Sequence, residues 1–125
     1  MEKINNSLNW FEIPVTDFER ARKFYSSIYG YEMPSTMMGD NQMGFFPVEP
    51  QHIGGAIVKG DDCVPSQTGT LVYLNGGTDL SNVLNKVKTS GGKVILEKTL
   101  ITPELGYFAF FIDTEGNKVG LHSMK

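Results

Sequence analysis

Histidine and cysteine, the side chains that most often hold transition metals, are nearly absent: the chain has two histidines, His52 and His122, and one cysteine, Cys63. A single thiol forms no internal disulfide, which points to a reducing, cytoplasmic setting. Positive charge is also thin. Eleven Lys and Arg are scattered against fourteen Asp and Glu, for a net charge of −3. Nucleic acids and anionic membrane surfaces select clustered basic residues, so neither is expected as a partner. No apolar stretch approaches the roughly 18–20 residues of a membrane span. The opening Met1-Glu2-Lys3-Ile4-Asn5-Asn6 has no apolar run of signal-peptide length, so no secretion leader is expected. Walker and dinucleotide motifs are missing, Asn75-Gly76-Gly77 is too short for a phosphate loop, and no Ser-His-Asp arrangement is legible.

What is present suits one globular domain spanning residues 1–125, with 40% hydrophobic and 20% charged residues. The chain also repeats itself. Thr16-Asp17-Phe18 recurs as Thr78-Asp79-Leu80, and the same offset of 62 carries Ala21 to Val83, Tyr25 to Val87 and Gly30 to Gly92. Further on, Phe45-Phe46 recurs as Phe110-Phe111 and Gly55 as Gly120, at an offset of 65. A three-residue slip of this kind is what one loop insertion produces. The repeats run over about 6–60 and 67–125.

Each copy reads the same way. Thr16 with Glu19 three residues on predicts a capping box, and Phe18, Ala21, Tyr25 and Ile28 mark one face of a helix closed by Gly30. In the second copy Leu80, Val83, Leu84 and Val87 have helical spacing, closed by Gly91-Gly92. Strands are predicted before the helices at 8–15 and 69–75. Further strands follow them at about 31–38, 43–48 and 53–59, then about 93–98, 106–112 and 118–124. Asp113 to Asn117 predicts a hairpin turn with Gly116 at positive φ, and Gly39-Asp40-Asn41 a second one amid Met33, Met37, Met38 and Met43. The fold class is therefore α+β, two tandem βαβββ units pairing their sheets around a cleft.

Residues Trp10 to Asp17 with Ala21 and Phe24-Tyr25, and the closing run Asp113 to Ser123, resemble the two ends of the glyoxalase/bleomycin-resistance/dioxygenase superfamily, also called the vicinal oxygen chelate superfamily. The likeness covers nearly the whole chain and is nearest to small proteins related to lactoylglutathione lyase. It implies curled mixed sheets round a cleft and, often, a homodimer. Metal-dependent members hold one divalent ion with His and Glu from four strands. Those positions fall here on Trp10, near Gly55, within Thr70 to Val72, and on Gly120. None carries a metal-ligating side chain, so no metal and no cofactor are expected.

Strand alternation gives the remaining candidates. Phe11, Ile13 and Val15 should face the core, leaving Trp10, Glu12 and Pro14 toward the cleft; Val119 and Leu121 likewise leave Gly120 and His122 there. Glu12 and His122 are the candidate catalytic pair, able to shuttle a proton beside a carbonyl if they meet. Trp10, Glu12, Gly55, Thr70, Val72, Phe111, Gly120 and His122 are the candidate ligand-binding residues. A strand glutamate that merely pairs with a cation, a half-exposed histidine and a core tryptophan are the plain alternatives. Cys63, in the acidic stretch Asp61-Asp62-Cys63, is expected to have a raised thiol pKa and no nucleophilic role. The expected function is metal-free small-molecule binding. Alternatives are a lyase or isomerase using Glu12 and His122, and a dimeric interaction module with a vestigial cleft.

Overall fold

The computed structural model describes residues 2–125. The first half runs β1 (Trp10–Pro14), α1 (Phe18–Tyr29), β2 (Ser35–Met38), β3 (Asn41–Phe45) and β4 (Gly54–Lys59). The second runs β5 (Tyr73–Asn75), α2 (Ser81–Val87), β6 (Lys93–Thr102), β7 (Gly106–Ile112) and β8 (Lys118–Ser123). Two four-stranded mixed sheets result, ordered β1-β4-β3-β2 and β5-β8-β7-β6, each with a parallel pair at one edge. This is the expected βαβββ arrangement, twice over.

The helix α1 forms because Phe18, Ala21, Phe24, Tyr25 and Ile28 fall on one face and are all buried. It ends at Gly30, whose left-handed backbone (φ 67°) a Cβ would disfavour. Its start differs from expectation. Asp17, not Thr16, is the N-cap, its carboxylate accepting from the Arg20 amide at 3.1 Å. The Thr16 amide donates instead to Glu115 Oε1 at 2.9 Å, and Glu19 pairs with Arg22 at 3.6 Å.

That contact belongs to a polar lock between the halves. Glu115, whose side chain has no exposed surface, also accepts from the Asp17 amide (2.6 Å) and from Arg20 Nε (2.8 Å). Two residues away, Asp113 accepts from the buried Tyr25 hydroxyl at 2.7 Å, and Asn117 Nδ2 donates to the Pro14 carbonyl at 2.7 Å. Burial and the Asp113 charge push the Tyr25 hydroxyl pKa well above its usual value. The hairpin of the second half thus closes the helix entry of the first.

One apolar cluster spans both units. Ile13 and Ile57 from the first sheet, Val15 just after β1, and Leu74, Phe111, Val119 and Leu121 from the second sheet meet beneath α1 and α2. Each fully buried large apolar side chain here contributes about 1.5–3 kcal/mol. The sheets do not close on each other within the chain. Each turns its inner face to this shared core and keeps partly exposed aromatic side chains on its outer face, where Met43, Ala56 and Val58 of the first sheet form a small buried cluster. No described helix is long and apolar enough to cross a membrane.

Candidate functional site

The open face of the second sheet is built by strand alternation. Because Val119, Leu121, Ala109 and Phe111 point into the core, Lys118, Gly120, His122, Phe108 and Phe110 point outward. Tyr73 and Asn75 join them by pairing with Gly120 and His122. Gly120 decides what this face looks like. It sits between Tyr73 and Phe110 in one cross-strand row, and a Cβ there would come 2.6 Å from the Tyr73 ring. With no side chain in the way, Tyr73 lies across β8 and reaches Phe110, ring centroids 5.9 Å apart. Phe108 meets Phe110 edge-on at 5.3 Å. The three rings form a continuous aromatic surface.

A cavity of about 800 Å³ opens over one end of this surface, bounded by Tyr73, Asn75, Ile101, Phe108, His122 and Met124. Its size is that of sites for drug-like molecules. His122 Nε2 lies 2.6 Å from the Leu105 carbonyl oxygen, which only accepts, so Nε2 carries the proton. When the ring is neutral, Nδ1 is the hydrogen-bond acceptor. A second cavity, about 490 Å³, lies at the seam between the halves against Phe11, Tyr29, Phe46 and Val72. Tyr73, Leu74 and Asn75 line both cavities, so β5 is their shared wall. Tyr29 fixes that wall, its hydroxyl donating to the Asn75 carbonyl at 2.8 Å.

The open face of the first sheet is different in character. Trp10 is 43% exposed, tilts against Phe45 at 6.2 Å, and donates from Nε1 to Glu12 Oε2 at 3.3 Å. Met43, Ala56 and Val58 form a small apolar cluster beside it, with Phe45 and Cys63 packed on its margin. Burial raises the Cys63 thiol pKa, and the Glu12 and Asp62 charges raise it further, which disfavours the thiolate.

Residues 8–43 match the family described as bleomycin resistance protein-like N-terminal. A glyoxylase-like domain-containing protein from Didymella fabae is 32% identical over 119 residues, covering 91% of each chain. The chain belongs to the glyoxalase/bleomycin resistance superfamily. Solved structures share its fold at low identity. One is TnmS3, an antibiotic binding protein from a Streptomyces species (TM-score 0.70, 19% identity, 98% of both chains). Another is a glyoxalase/bleomycin resistance protein from Albidiferax ferrireducens (TM-score 0.69, 16% identity, 93% of this chain and 97% of that one).

Within this superfamily fold, the residues expected to meet at one site are dispersed. Trp10 and Glu12 lie on the open face of the first sheet, Gly120 and His122 on that of the second. Among the described residues no hydrogen bond joins Glu12 to His122; their side chains bond to Trp10 and Leu105. Gly55 does not face outward. It pairs with Phe11 on the core side, where a Cβ would run into the Phe11 ring, and Gly54 and Ala56 take the outward places on β4. Phe111 is fully buried in the shared core and lines neither cavity. Thr70 and Val72 line the seam cavity but precede β5. The strand residue opposite Gly120 is Tyr73.

The side chains at these positions do not fit the divalent ion of metal-dependent members. Trp10, Gly55, Gly120 and the stretch Thr70 to Val72 offer no imidazole or carboxylate. Among the described residues no three His, Cys, Asp or Glu side chains group in a way that could hold a metal ion. The sequence reading did not single out Tyr73, Phe108 or Phe110, the three rings of this open face. The two phenylalanines were accessible, since Phe111 facing inward sends its alternate neighbours outward. Tyr73 was not, because the three-residue β5 is placed by long-range pairing.

Proposed function

We propose that this protein binds a small, planar, partly aromatic molecule without a metal, in the cavity over β5, β8 and β7. The observation that carries this reading is the aromatic row Tyr73–Phe110–Phe108 laid across Gly120 beside a cavity of about 800 Å³. Ring faces of this kind stack on flat ligands, and the nearby His122 and Asn75 supply polar contacts that orient them. An antibiotic binding protein shares this fold, as glyoxalase I enzymes do, so the fold accommodates binding without turnover. The proton-transfer alternative is disfavoured because Glu12 and His122 stand on separate sheets and are engaged elsewhere.

The chain acts as one domain, its halves at about 6–60 and 67–125 supplying one sheet each, in a reducing cytoplasm that suits a lone cysteine. It pairs with a second copy. Trp10 and Tyr73 (50% exposed) on the open faces, with Met37 and Met38 at the β2 edge, are the apolar side chains such a partner would cover. A screen of polycyclic aromatic antibiotics and metabolites by melting temperature, with chelator present, tests the binding reading. A saturable rise of several degrees for planar compounds is expected. Failure of the whole panel to move the transition overturns it.

A further inference from the structure

Lys118 stands on the same open face as the aromatic row, two residues before Gly120 on β8. Its ammonium lies 4.4 Å from the centre of the Phe110 ring. It is half-buried, and among the described residues it forms no ion pair; the lysine that does is Lys98, with Asp79. The ring face attracts the ammonium and holds it on this surface without a described ion-pair partner. The cavity lies at the other end of the row. His122 is its titratable lining group apart from the Tyr73 phenol, and no Asp or Glu lines it. In a chain with an excess of acids, the row thus has Lys118 at one end and a cavity lining without carboxylates at the other.

Phe110 connects the two ends. It touches Phe108 at the cavity and Tyr73 across Gly120, and the Lys118 ammonium lies over its ring. A flat molecule lying along the rings from the cavity would bring its distal edge to the Lys118 ammonium. Resting on the reading of this cavity as a small-molecule site, we propose that the ligand is an aromatic anion, a fused-ring carboxylate or sulfonate, whose rings stack on Tyr73 and Phe110 and whose acid group pairs with Lys118. Ring stacking supplies the affinity, and the ion pair selects the charge and the orientation.

The test compares naphthoate with its neutral counterpart naphthamide by titration calorimetry at low ionic strength, on the native protein and on Lys118→Met and Lys118→Arg. Native protein should bind naphthoate about fivefold more tightly, the value of one partly exposed ion pair. Lys118→Met should erase that preference and Lys118→Arg should keep it; added salt should shrink it in the native protein. Equal binding of the two probes by native protein overturns the anion inference while leaving the aromatic site standing. A preference that survives Lys118→Met assigns the charge elsewhere and overturns it as well. Binding of neither probe overturns both this inference and the proposed function.

Discussion

Glu115 accepts from two backbone amides at the start of α1 and from the Arg20 guanidinium, so one carboxylate of the second half closes the first half's helix. Burial alone would raise its pKa. The hydrogen bonds from Arg20, the Asp17 amide, Thr114 and the Thr16 amide outweigh burial and hold it below the ordinary 4.5. A depressed carboxylate stabilises the fold above its unfolded pKa, and that stability is lost as pH falls through the lower folded value. Glu115→Gln should therefore cost about 2 kcal/mol near neutrality, by losing charge-assisted bonds around a buried side chain. Its acid unfolding limb should also be flatter than the native one. Urea titrations across the acid range check both; a cost below about 0.5 kcal/mol with an unchanged limb would show that the lock does not stabilise the fold.

At the scale of the element, β8 carries the most consequence, because its residues alternate between sealing the core and shaping the open face. Gly120→Val should leave Val119 and Leu121 buried and the fold intact, at an overpacking cost of about 1–3 kcal/mol. It should push Tyr73 off β8, break the ring row and abolish the melting-temperature shift given by planar ligands. A variant that stays folded and still binds would remove the row from the site. The same scale explains what was legible. Apolar periodicity marked α1, and Gly30 and Gly116 marked its end and the last hairpin, because these signals are local. The β4 strand gave no parity signal, since five consecutive residues from Gly54 are buried and apolar alternation vanishes. Only its pairing with β1 puts Gly55 beneath Phe11. The helix cap slipped by one residue for a related reason: the Thr16 amide is claimed by Glu115, ninety-nine positions away.

For the whole molecule, the two open sheet faces are the unfinished part of the fold. Inner faces, helices and the polar lock are satisfied within one chain, whereas the aromatic outer faces remain in water. A second copy covering them would bury on the order of 800 Å² per partner, the usual size of a stable interface. Sedimentation equilibrium should accordingly give a dimer at micromolar concentration, and Trp10→Glu should shift it toward monomer. A native protein that sediments as a monomer throughout that range would contradict the pairing and leave each cavity open to solvent on one side.

The most direct measurement is amide-resonance mapping of the native protein with a planar aromatic ligand in the presence of a chelator. Saturable shifts clustered at Tyr73, Phe108, Gly120 and His122 are expected, unchanged when divalent metal replaces the chelator. Shifts that appear only with added metal, or that gather around residues remote from β5, β7 and β8, would contradict a metal-free site on this sheet.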